Sequence, residues 1–130
     1  MKLTLKYLLY LIFVISLLTG MNGLIGGAAA IPGATPDVVP AIDNELRCIS
    51  VFWLTFGGFC FWVARNIDSR YYFIPPIALV IFLSGLARLL SILLVGMPSN
   101  PLFAAMMIEF ILFVAVYFTY SKWKAYRLAN

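Results

Sequence analysis

The chain has 130 residues, of which 64% are hydrophobic and only 11% charged, with a formal net charge of +4. Soluble domains carry roughly 25% charged residues, and a single soluble core of this size could not hide so many Leu, Ile, Val and Phe side chains. The basic excess does not build a nucleic-acid surface either, because the nine Lys and Arg are scattered along the chain instead of gathered on one face. Histidine is absent, which removes the commonest general base and the commonest metal ligand together. Cys48 and Cys60 fall about twelve residues apart in one apolar run, roughly 18 Å along a helix, too far for a mutual disulfide. They read as small buried hydrophobes. No metal site and no cofactor is expected.

The apolar runs predict an all-α integral membrane bundle of four transmembrane helices in one domain, residues 1–130. The first span covers about 4–24, after Lys2 and Lys6, and the stretch from Tyr7 to Leu18 is uninterrupted by charge. A basic start, an apolar run and Ala28-Ala29-Ala30 also imitate a secretory signal. The run exceeds the roughly 7–15 residues of a signal core, however, so it is expected to stay as a span. From Ile25 to Ile42 the chain is rich in Gly, Ala and Pro, with Pro32, Pro36 and Pro40 evenly spaced, and it cannot be one regular helix. Gly23 and Gly27 form a GxxxG pattern there, read as a flexible helix exit in preference to a dimerisation face.

The second span covers about 43–64. Asp43 can cap it or pair with Arg47 one turn later, in the favourable acid-then-base order. A polar turn, Arg65-Asn66-Ile67-Asp68-Ser69-Arg70, then reverses the chain, and Tyr71 and Tyr72 follow where aromatic rings favour a membrane interface. The third span covers about 75–95, from Pro75-Pro76 to a stop at Gly96 and Pro98. The fourth covers about 101–121, with Asn100 as cap and Pro101 as first helical residue.

The loops predict the orientation. Lys2 and Lys6, Arg65 and Arg70, and Lys122, Lys124 and Arg127 mark the three segments that should share one side. The first connection carries Asp37, Asp43 and Glu45, with Arg47 at its border, and the third loop is uncharged. Basic residues stay cytoplasmic, so both termini are expected in the cytoplasm. The Lys122–Arg127 segment then reads as an interfacial anchor beside anionic lipid, not a nucleic-acid patch.

Two charges lie inside spans. Arg88 stands seven residues before Val95, roughly 10 Å below the outer helix end, and Glu109 eight residues after Pro101, roughly 12 Å below the same surface. Each alone in hydrocarbon costs on the order of 2.5–3.5 kcal/mol. Arginine cannot shed its proton, which makes Glu109 its expected partner. Ser84, Arg88 and Ser91 recur at helical spacing beside Gly85. Asn22 lies near the outer end of the first span, and Glu45 and Arg47 at that of the second, with Ser50 a turn deeper. These residues describe a polar cluster opening outward, with Arg47, Arg88, Glu109, Glu45, Ser84, Ser91 and Asn22 as candidate ligand contacts. The alternative is a purely structural pair that fixes which helix faces meet, with serines bonded back to their own helices. None of Ser50, Ser84 and Ser91 has a neighbouring His or Lys to activate it, and no carboxylate pair is recognisable, so hydrolysis by nucleophile or acid–base pair is not expected.

The run Asp43-Asn44-Glu45-Leu46-Arg47, then Gly57-Gly58, then Gly85-Leu86-Ala87-Arg88-Leu89-Leu90-Ser91, with the proline after the third span and Glu109 in the fourth, resembles the small bacterial four-helix membrane proteins catalogued as a domain of unknown function. The resemblance covers nearly the whole chain. Ala87 stands where that pattern has a glycine, a departure that still permits close packing. The resemblance implies a bacterial inner-membrane location and draws attention to Glu45, Arg47, Arg88 and Glu109. It implies no reaction.

Three readings of function follow. The first is a binding or accessory protein whose outward-facing pocket takes a lipid head group or a small anion, since two arginines near one level suit an anion. The second is a membrane-embedded enzyme or redox partner using Glu109 as acid and base. The third is a structural subunit, an oligomer or part of a larger membrane complex. The topology is testable by itself. In a background without Cys48 and Cys60, single cysteines at positions 99 and 69 should label from opposite sides, with an external reagent reaching Ser99→Cys and missing Ser69→Cys. Equal labelling of both would overturn the both-ends-in arrangement.

Overall fold

The computed structural model describes residues 1–35 and 37–129, and among them all regular structure is helical. Helix α1 runs Lys2–Gly26 and continues as a 3-10 turn over Gly27–Ala30. Helix α2 runs Pro40–Arg65, α3 is a single turn, Ile67–Arg70, and a 3-10 turn over Tyr71–Phe73 leads into α4, Ile74–Val95. Helix α5 runs Asn100–Ala129. Four of these helical stretches are long and apolar enough to cross a membrane. Their exposed positions are occupied by residues such as Leu83, Leu90, Leu93 and Ile111, a surface that water would not tolerate without association.

Local chemistry sets the element ends. α2 begins three residues earlier than the pattern of charge suggested, because Pro40 fits a first helical position and the Val39 carbonyl accepts from the amides of Ile42 and Asp43. Asp43 therefore lies inside the first turn. At α5 the Ser99 carbonyl accepts from Leu102 and Phe103, which makes Ser99, not Asn100, the residue at the cap. α4 stops where expected: Gly96 adopts φ 119° and its amide closes on Ile92. The polar turn expected after the second span is itself wound into α3. α5 runs eight residues past Ser121, because charge ends the apolar run without breaking the helix. Pro36, one of the three evenly spaced prolines, lies outside the described residues.

The chain divides into two compact units, Tyr10–Trp62 and Met1–Leu9 with Val63–Asn130. In the first, α1 and α2 meet along small residues. Gly20 faces Leu54 and the Ser50 carbonyl, Gly23 faces the Ser50 side chain, and Gly57 faces Ser16. Small residues let two backbones approach closely. Of the Gly23/Gly27 pattern, Gly23 therefore serves contact within the chain, while Gly27 lies in the exit from α1. Trp53 Nε1 donates to Thr19 Oγ1 at 2.6 Å, while Phe13 and Tyr10 lie against Phe61.

In the second unit, α4 buries Ile74, Ile77, Ala78, Ile81 and Gly85. α5 buries Met106, Glu109, Leu112, Val116, Tyr120 and Trp123, a spacing of three and four that keeps one stripe on one face. Phe110 lies over Gly85 and beside Phe82, which also meets Phe113. At the opposite end of the unit, Asp68 is paired with Lys2 and its carbonyl accepts from Arg127. The Arg127 guanidinium lies 4.7 Å from the Tyr71 ring centre, and Tyr71 meets Trp123 edge to face.

Two adjacent glycines in α2 give a test of this packing. A Cβ on Gly57 would stand 2.6 Å from Ser16 Cβ, whereas one on Gly58 meets nothing within 4 Å. Alanine in place of a helical glycine is worth about 1 kcal/mol in favour of the helix. Gly58→Ala should raise the thermal midpoint of detergent-solubilised protein, and Gly57→Ala should lower it by forcing α1 and α2 apart. An increase in both would mean that the two helices do not meet at Gly57.

Candidate functional site

The Arg88 side chain leaves α4 at the edge of its buried face and reaches α5. Its Nε donates to both oxygens of Glu109, at 3.1 Å each. Ser84, one turn earlier on α4, donates its hydroxyl to Glu109 Oε1 at 3.0 Å. Glu109 is 7% exposed, so both its oxygens are engaged and its charge is shielded behind its partner. Arg88 is different: its side chain is 40% exposed. The guanidinium carries five N–H groups, and only the one on Nε has a partner among the described residues, leaving both terminal NH2 groups unused. Gly85 supplies the space for this approach, since Phe110 occupies the place a Cβ would need.

The hydroxyls separate into two kinds. Thr19, Ser50 and Thr55 each donate to the carbonyl four residues before, Ile15, Leu46 and Val51, which is how a hydroxyl inside an apolar helix satisfies itself. Ser84 is turned to Glu109 instead. Ser91, one turn beyond Arg88, is exposed and makes no hydrogen bond among the described residues. Ser16 is fully buried with its hydroxyl unpartnered. Nothing in its pattern distinguished it beforehand, because one serine in an apolar run is indistinguishable by sequence from one bonded to its own helix.

A second cluster sits in the unit formed by residues 10–62. Asp43 accepts from Arg47 Nε and from the Ala28 amide, both at 2.8 Å. Arg47 Nη1 donates to the carbonyls of Leu24 at 2.7 Å and Ile25 at 3.1 Å, groups left without helical partners at the end of α1. Gly27 makes the turn possible: its φ is +61°, and a side chain there would collide with Asp43 and Arg47. Asn22 donates to the Ala30 carbonyl at 3.3 Å, closing the same exit. Glu45 is exposed at the start of α2. Thus Arg88, Glu109 and Ser84 come together as the spacing predicted. Asp43 and Arg47 pair as predicted, but with the end of α1 as their further partner. That role was not legible, because it depends on a turn conformation fixed by Gly27.

Chemically, the Arg88 cluster can hold an oxygen-rich anion at its two free NH2 groups, with the Ser91 hydroxyl nearby. It offers no unengaged base, since Glu109 already accepts three hydrogen bonds. Among the described residues no group of His, Cys, Asp and Glu is arranged to hold a metal ion.

Comparison with known proteins gives one finding. No curated protein and no solved structure matches the chain. The model of one family, described as domain of unknown function DUF4345, matches residues 4–120. That match takes in α2 and α4 whole, the Asp43–Arg47 and Arg88–Glu109 pairs, and all but the last turns of α5, so the chain belongs to the DUF4345 family.

Proposed function

We propose that the protein is a multi-pass binding or accessory protein of the bacterial inner membrane, with both ends cytoplasmic and a polar site at Arg88 that takes a small oxyanion or a lipid head group. The observation that carries this reading is the uneven use of Arg88. One N–H fixes it to a buried carboxylate, and four stay free on a side chain that is only partly buried. A pair whose only task was to join two helices would be satisfied by bonding more of those donors to protein, because each unpaired polar group in hydrocarbon is costly. Ser84 and Glu109 act as positioning residues, and Ser91 adds a donor on the same face. Arg47, Glu45 and Asn22 belong to the site in the sequence reading. The bonds of Arg47 and Asn22 to the end of α1 give those two a structural task as well. The engagement of both Glu109 oxygens argues against an acid–base role for that residue.

Two measurements test the reading. Removing one member of a buried pair typically costs on the order of 3–5 kcal/mol, so Glu109→Gln and Arg88→Ala should each lower the thermal midpoint. Arg88→Met combined with Glu109→Leu should regain most of that loss. Additive losses would show that the residues are not partners. Native mass spectrometry of gently extracted protein should then show a bound adduct on the wild type that the stable double variant lacks. A bare wild-type mass, or the same adduct on both proteins, would overturn the binding role.

A further inference from the structure

Arg88 and Ser91 leave a cluster rich in hydrogen-bond donors, in which the Ser91 hydroxyl can also accept. Both oxygens of Glu109 are taken by Arg88 and Ser84, and the terminal NH2 groups of Arg88 and the Ser91 hydroxyl are open on the same helix face. Three and four residues along a helix place side chains one above the other, so the two donors can meet one ligand. A set dominated by guanidinium donors favours an oxyanion, and the flat fork of a guanidinium matches two oxygens of a phosphate. The charge state narrows the choice. Arg88 and Glu109 together are formally neutral, so a doubly charged anion would be stripped of water with no surplus positive charge to meet it, which low-dielectric surroundings punish. A singly charged phosphodiester fits better.

The route to the site points the same way. The exposed residues flanking Arg88 on α4 are Leu86, Ala87, Leu89 and Leu90, and toward the start of the helix Leu79, Val80 and Leu83 are exposed as well. A freely diffusing ion would have to cross this aliphatic surface. A lipid would use it, laying its chains along the leucines with its phosphate at Arg88. The Arg88 backbone lies roughly 10 Å from the end of α4 by helical rise, a depth that snorkelling of the long side chain and local thinning of the bilayer can bridge to a head group.

Resting on the binding role proposed above, we infer that the oxyanion is the phosphodiester of a phospholipid, drawn in sideways from the bilayer and held by the terminal NH2 groups of Arg88 and the hydroxyl of Ser91. Delipidated protein in detergent is the material for the test, with thermal midpoint and native mass as readouts. Dioleoylphosphatidylglycerol should raise the midpoint by several degrees and bind one per chain. Dioleoylglycerol, with the same chains and no phosphate, and millimolar inorganic phosphate should do neither. Ser91→Ala removes no hydrogen bond from the fold and should weaken the phospholipid roughly three- to tenfold. Arg88→Lys keeps a cation for Glu109 but loses the free fork, so it should stay folded and lose the stabilisation. An Arg88-dependent response to inorganic phosphate equal to that of the phospholipid would overturn the lipid assignment and leave the anion-binding role standing. Equal responses to the two dioleoyl compounds, or unchanged binding by both variants, would also overturn it. No response to either phosphate source would remove the binding role too.

Discussion

A guanidinium keeps its proton in any medium a protein offers, and hydrocarbon offers it no water. Once Arg88 is placed in the middle turns of α4, the neighbouring helix has to bring an acid to it at the right height. α5 does so with Glu109, buried on the stripe that otherwise carries Met106, Leu112 and Val116. The register of the two helices is thereby set by charge, while their closeness is set by size: Gly85 gives up its side chain so that Phe110 can lie against α4. An apolar pair of helices could slide by a turn and still pack. This one would leave two ions unpaired if it did, which is the form of specificity for which buried polar groups are best attested.

The two arginine clusters use the same residue types for different ends. Arg47 turns three of its N–H groups onto Asp43 and the last carbonyls of α1, and so closes a helix end that would otherwise expose bare acceptors. Arg88 turns one inward and leaves the others outside. Composition cannot separate these cases, since each is an arginine with an acid within reach. The difference lies in how many acceptors the backbone nearby has left over.

Much of the fold was legible because lipid imposes a simple rule on sequence. Long runs such as Leu8–Leu18 and Ile77–Leu83 have one plausible conformation in a bilayer, and Gly96 and Pro98 mark the end of α4 as their chemistry requires. The pairing of Arg88 with Glu109 was legible for the same reason, from depth and the cost of an isolated ion. The helix ends were less so. Charge at Asp43 and Lys122 suggested boundaries, but helices are ended by backbone geometry, and neither position has a breaker. The partners of Arg47 and the orphaned Ser16 depend on turns and rotamers that leave no periodic trace.

Asp68 is where distant parts of the second unit converge, its side chain paired with Lys2 and its carbonyl bonded to Arg127. The partners are separated from it by 66 and 59 residues, whereas Arg88 and Glu109 are 21 residues apart. Contacts close in sequence cost less loop entropy and form sooner. The α4–α5 hairpin can therefore assemble by itself soon after synthesis. The junction at Asp68 must wait until the end of α5 has been made, because Arg127 follows Asp68 by 59 residues. Assembly of this unit then ends where the start of α1 and the end of α5 reach Asp68 through Lys2 and Arg127, and an unjoined Asp68 would be the mark of a chain still in the course of maturation.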